Sequence, residues 1–166
     1  MIESGPPARL IRSYAKINLF LYVTGRLDNG YHTLNTLMAR IDLHDDLLLD
    51  FSNDRLSVSC THPDVPEDDT NLVIKAARSF YRALDAQHIP YRPGLGITLT
   101  KRIPPGGGLG GGSSNAAAVL TALNEEYGQV FSVSELSDIG LSLGADIPFF
   151  IHGRPALATG IGESLS

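Results

Sequence analysis

Tryptophan is absent from the 166 residues and cysteine occurs once, as Cys60. A lone cysteine closes no internal disulfide. A reducing cytoplasm is therefore the expected setting, with Cys60 an ordinary core or surface thiol. Basic residues are not in excess: 13 Lys and Arg stand against 18 Asp and Glu, for a net charge of −5. That balance excludes a nucleic-acid partner gripped through its phosphates. No apolar run approaches the roughly 18 residues of a membrane span. The opening stretch MIESGPPARLIRSYAK lacks the apolar core of a signal peptide, so no membrane partner is expected. His44, His62, His88 and His152 show no metal-ligand spacing among themselves, and no protein metal cage is expected.

Hydrophobic residues make up 43% of the chain, enough for a core. The length suits one domain or two small lobes. Residues 10–23 (LIRSYAKINLFLYV) are rich in branched and aromatic side chains, with Lys16 and Asn18 set into the apolar run. They read as strand. Asp28-Asn29-Gly30 marks a turn. Residues 34–41, 46–51 and 56–60 read as further strands. Asp68, Asp69 and Thr70 offer N-caps to a helix whose apolar face is Val73, Ala76, Ala77, Phe80 and Leu84. Residues 94–101 (GLGITLTK) form a strand pattern. Ala116, Val119, Leu120 and Leu123 mark a second helix. Ser132 and Glu135 form a capping box for a third, with Leu136, Ile139 and Leu143 as its stripe and Gly144 placed to end it. Residues 149–151 and 156–159 read as closing strands. Strands gather early and helices late, which favours α+β over regular βαβ alternation.

What the chain has in abundance is glycine at one place. Residues 104–117 read PPGGGLGGGSSNAA, with six glycines in seven positions interrupted only by Leu109. Each glycine gives up extra backbone freedom on folding. The arrangement strand, glycine loop, helix repays that loss by letting backbone N–H groups and an open helix N-terminus converge on an anion. Ser113 and Ser114 add hydroxyl donors, or a hydroxyl ligand for Mg²⁺. No Lys-Ser/Thr follows the glycines, so the loop is not a Walker A motif. Gly106, Gly108 and Gly111 fit G-x-G-x-x-G only formally. Glu125 and Glu126 come too soon for the ribose-binding acid of a dinucleotide fold. A bland surface linker would not sit between Pro-Pro and a well-patterned helix.

Pro104 to Ala117 resembles the phosphate loop of the GHMP kinases (galactokinase, homoserine, mevalonate and phosphomevalonate kinases). The extended GGGLGGGSSNAA is similar to one branch of that family, which acts on a cytidine-diphosphate-linked methylerythritol. Three other stretches agree with that branch: Ala15-Lys16-Ile17-Asn18-Leu19 with Gly30-Tyr31-His32; Asn71-Leu72-Val73; and Leu143-Gly144-Ala145-Asp146-Ile147-Pro148. The likeness covers nearly the whole chain, with order and spacing kept. It implies an N-terminal, ATP-binding domain over residues 1–166, related to the second domain of ribosomal protein S5. That fold has a mixed sheet with helices on one side and a left-handed βαβ crossover, which the general right-handed rule would not supply.

The resemblance also weighs individual residues. A lysine in an apolar strand is usually a snorkelling edge residue; the likeness makes Lys16 catalytic. An aspartate between a helix-ending glycine and Ile-Pro is usually a cap or turn residue; the likeness makes Asp146 the catalytic base, and a Lys16–Asp146 pair would orient both groups. It places Pro104, Pro105, Gly106, Gly107, Gly108, Leu109, Gly110, Gly111, Gly112, Ser113, Ser114 and Asn115 on ATP, with Asn71 and Lys101 around the adenine. Asn18 supports the substrate. Tyr31 and His32, which alone would read as a surface aromatic and a solvated histidine, line the cytidine end.

The implied activity is ATP-dependent phosphorylation of the 2-hydroxyl of the cytidine-linked methylerythritol, in the non-mevalonate route to isoprenoid precursors, with Mg²⁺ arriving on ATP. Two alternatives stand beside it: another GHMP kinase of homoserine or phosphomevalonate type, and a nucleotide-binding lobe without turnover. The family's kinases carry a second, C-terminal domain, and the resemblance implies that these 166 residues are the N-terminal one alone. The uncovered face is therefore expected to self-associate, and the chain alone to be weakly active. A branched side chain at Gly110 is expected to fill the phosphate space while leaving the fold intact.

Overall fold

The computed structural model describes residues 8–166. Two long strands, β1 (Arg9–Arg26) and β2 (His32–Asp50), form an antiparallel hairpin. β3 (Leu56–Cys60) leads to helix α1 (Leu72–Ala86), and β4 (Leu95–Thr100) returns parallel to β3. Then come α2 (Gly111–Glu126), α3 (Val133–Leu141), α4 (Ile147–His152), β5 (Ala156–Thr159) and β6 (Ser164–Leu165). The sheet is mixed and six-stranded, and β2 is its spine. β1 covers one edge of β2. On its other edge, β4 pairs with residues 46–50 and β5 with residues 36–38. The α+β class and the early strand block agree with the sequence reading.

One face of the sheet is apolar. Leu47 and Leu49 on β2 and Leu95, Ile97 and Leu99 on β4 are buried, whereas the alternate Leu48 is 40% exposed. This alternation is that of a sheet packed on one side. α1 lays Val73, Ala76, Ala77, Phe80 and Leu84 into the core, and α2 adds Ala116, Val119, Leu120 and Leu123, as the periodicity predicts. The Ser132–Glu135 capping box opens α3.

Four expectations need correction. Residues 34–41 and 46–51 are one strand rather than two. The polar interval around Asp45 looked like a break, but its charge is satisfied by groups distant in sequence. The cap of α1 is Asn71, whose side chain accepts from Val73 N–H at 3.0 Å. Asp68 instead takes the backbone N–H and hydroxyl of Thr70. α3 ends at Leu141 with Ser142 as cap, so Leu143 and Gly144 lie beyond it. Residues 149–151 are helical: Pro148 starts α4 and Gly153, at φ 75°, ends it. A three-residue apolar run does not distinguish strand from buried helix.

Candidate active site

The glycine loop joins β4 to α2 and walls a cleft of about 570 Å³. Lys16, Asn71, Lys101, every residue from Pro104 to Ser113, Asn115 and Asp146 all line it, together with the apolar Val65, Pro66, Leu72 and Leu99. Most of the residues singled out in the sequence thus meet in one place, from four separate stretches of the chain. At the start of α2, Gly110 adopts φ 70°, and no side chain caps the helix. The first amides of α2 therefore remain free to donate to an anion, and no acidic residue stands in the first turn to compete.

Lys16 reaches the cleft through an irregularity. The β1–β2 register shifts between Tyr14 and Lys16 and again between Asn18 and Phe20. Such bulges re-aim side chains. The N–H of Lys16 is released to donate to Leu109 O at 2.9 Å, within the glycine loop. Its Nζ donates to Asn18 Oδ1 at 2.7 Å and stands 3.5 Å from Asp146 Oδ2. The lysine side chain is 8% exposed and the aspartate 36%, so the pair sits at the border between core and cleft. Asp146 immediately precedes α4, which fixes its backbone.

The two serines differ. Ser114 is buried and its hydroxyl donates to Tyr14 O at 2.7 Å. Ser113 lines the cleft. Asn71 lines it too, but its amide is used within the chain, capping α1 and donating to Pro66 O at 2.6 Å. Asn18 lies behind Lys16. Tyr31, 59% exposed, and His32 stand at the tip of the β1–β2 hairpin and do not line the cleft. Among the described residues, no three or more His, Cys, Asp or Glu gather as a metal site.

Two residues missed in the sequence organise this region. Asp45 is fully buried and accepts from Lys101 Nζ and from Asn115 Nδ2 at 2.9 Å. It also takes the N–H groups of Arg102 and Ile103, at 2.7 and 2.8 Å. The carboxylate thereby anchors the segment entering the glycine loop and, through Asn115, the second turn of α2. The signal was available: Asp45 has the same parity as the buried Leu47 and Leu49, so it had to point inward. Phe150 is the other. A Cβ on Gly110 would lie 2.8 Å from its ring and 3.1 Å from Lys16 Cγ. A side chain at Gly110 therefore strikes protein rather than open phosphate space, contrary to the expectation above.

Residues 71–154 match the family described as GHMP kinases N terminal domain. The chain is 48% identical over 156 residues to 4-diphosphocytidyl-2-C-methyl-D-erythritol kinase of Alcanivorax borkumensis, covering 92% of this chain and 50% of that protein. It superposes on a crystal structure of 4-(cytidine 5'-diphospho)-2C-methyl-D-erythritol kinase with a TM-score of 0.74 at 40% identity, covering 95% of this chain and 54% of that one. Homoserine kinase from Cytophaga hutchinsonii shares the fold, with a TM-score of 0.66 at 21% identity over 100% of this chain and 52% of that one. The chain thus spans about half the length of the relatives it matches. With residues 71–154 matching that family and 48% identity to one of its kinases, the chain belongs to the GHMP kinase family, as its N-terminal domain.

Proposed function

We propose that this domain serves ATP-dependent phosphorylation of the 2-hydroxyl of 4-diphosphocytidyl-2-C-methyl-D-erythritol. The observation that carries the reading is the Lys16–Asp146 pair at the rim of a cleft walled by the glycine loop. The cytidyl specificity rests on the 48% identical relative and on the Gly30-Tyr31-His32 segment.

Each group has a task. The open amides at the start of α2 and the loop backbone hold the phosphates. Val65, Pro66, Leu72 and Leu99 offer an apolar seat for the adenine. Asp146 accepts the proton of the attacking hydroxyl, and Lys16 holds a positive charge beside the transferring phosphoryl group. Mg²⁺ supplies neutralisation of phosphate charge when bound with ATP. The donor set suits that ion, which keeps several waters and needs few protein ligands. Ser113, which lines the cleft, would offer its hydroxyl as a ligand from this loop. Catalysis is then mostly positioning and charge stabilisation.

A coupled ADP-release assay tests the reading, with the cytidyl substrate, homoserine and phosphomevalonate offered in parallel to the full-length protein. Turnover of the cytidyl substrate alone is expected. Preference for either of the others would overturn the specificity, and ATP binding without transfer to any would reduce the domain to a nucleotide-binding module. We propose that turnover also needs the part of the relatives this chain does not span, because Tyr31 and His32 lie on an open surface.

A further inference from the structure

Behind the Lys16–Asp146 pair runs a line of hydrogen bonds whose direction is chemically fixed. Thr36 is a buried residue of β2, 1% exposed. Its hydroxyl donates to Phe20 O at 2.6 Å. Phe20 follows the second irregularity of β1. The single hydroxyl proton is thereby spent, so toward Asn18 the oxygen acts only as an acceptor. Asn18 Nδ2 supplies the donor at 2.7 Å. The amide is then turned one way, with Oδ1 toward Lys16, where it accepts from Nζ at 2.7 Å.

We propose that Thr36 is a positioning residue: through Asn18 it fixes the Lys16 ammonium beside Asp146. An ammonium group has three donors and no acceptor. One proton of Lys16 goes to Asn18 and a second faces Asp146 at 3.5 Å. With those two directions set, the third is aimed by tetrahedral geometry. Were the Asn18 amide to turn over, its NH₂ would confront the ammonium, donor against donor, and Lys16 would be driven from its place. The acceptor-only face of Thr36 opposes that rotation from the side away from Lys16, so that the amide holds the ammonium rather than yielding to it. The role of Lys16 in phosphoryl transfer belongs to the function proposed above; the geometry of the relay does not depend on it.

The test compares Thr36→Val, nearly the same shape without the hydroxyl, with Thr36→Ser, which keeps it. In the wild-type chain, NMR should show an Asn18 side-chain amide proton protected from exchange and close to Thr36. In T36V the exchange of that amide should quicken about 10-fold or more and the Lys16 Nζ signal should shift. In T36S both should stay near wild type. In the full-length kinase, T36V should lower kcat about 10- to 100-fold, the cost of a small misplacement at a reacting centre, with KM for ATP within about 2-fold. An unprotected Asn18 amide in the wild type would overturn the proposal even if T36V fails to fold. So would a T36V protein with unchanged Asn18 and Lys16 signals. Loss of the NMR signature with kcat intact would leave the relay standing and remove Lys16 from the chemistry.

Discussion

The N–H of Lys16 donates to the carbonyl of Leu109 at 2.9 Å, which joins β1, at its first register shift against β2, to the middle of the glycine loop. The backbone of the lysine and that of the loop are thereby tied to each other. Gly110, the next residue, sits at φ 70° with Phe150 and Lys16 packed against the place a Cβ would take. Gly110→Ala should thus cost stability as well as nucleotide affinity, about 1–3 kcal/mol for the backbone strain before any clash. Urea unfolding alongside calorimetric ATP titration checks this. An unchanged midpoint with weakened ATP binding would mean that the alanine methyl points into the cleft after all.

Asp146→Asn keeps the shape of the side chain and removes its basicity. In the full-length kinase, kcat is expected to fall about 10²–10⁴-fold with ATP affinity little altered. Steady-state kinetics at saturating ATP decides. Turnover near the wild-type rate would take Asp146 out of the proton transfer.

Asp45→Asn should be more damaging to the fold than its mild chemistry suggests. It leaves the Lys101 ammonium, 4% exposed, without its counter-charge. Breaking one side of such a buried pair costs about 3–5 kcal/mol. The double change Asp45→Asn with Lys101→Met removes both charges and should recover much of that loss. Chemical denaturation of the single and double variants measures the difference, and equal instability of both would assign the cost to the backbone contacts of Arg102 and Ile103 instead.

Acid should weaken the protein through surface carboxylates. The Arg102 hydrogen bond holds the Asp46 carboxyl below its ordinary value. The Thr70 hydroxyl and N–H do the same for Asp68, and the Ser132 N–H and hydroxyl for Glu135. A group whose folded pKa is depressed binds more protons in the unfolded state, so its contribution is present above the ordinary value, about 4, and lost as pH falls through the folded one. The urea midpoint should stay level down to about pH 5 and then decline. Glu135→Gln should flatten part of that decline; a profile identical to wild type would exclude the α3 capping box from the acid response.

Much of this was legible in the sequence because it is local. The apolar stripes of α1 and α2, the Ser132 capping box and the glycine loop are patterns within a dozen residues. Most loop residues line one cleft together with Lys16 and Asp146. What stayed hidden is long-range. Asp45 made β2 look interrupted because its partner Lys101 is 56 residues away. Phe149 and Phe150 read as strand because packing against α2 and α3, rather than periodicity, makes them helical. The occupation of Ser114 by Tyr14 O spans 100 residues and has no local trace.

β2 carries two obligations at once. Near one end Thr36 faces the Lys16 relay, and nine positions later, about 30 Å along an extended strand, Asp45 pins the entry to the glycine loop. The buried positions are even-numbered at Thr36 and Met38 but odd-numbered at Asp45, Leu47 and Leu49, so the phase changes once within the interval 39–44. That interval tolerates a change of letter far better than a change of length. Insertion or deletion of one residue there would rotate one end to the wrong face while leaving composition almost untouched. The strand works as a ruler with two marks, and among natural variants its length between them should be the more constant property than its wording.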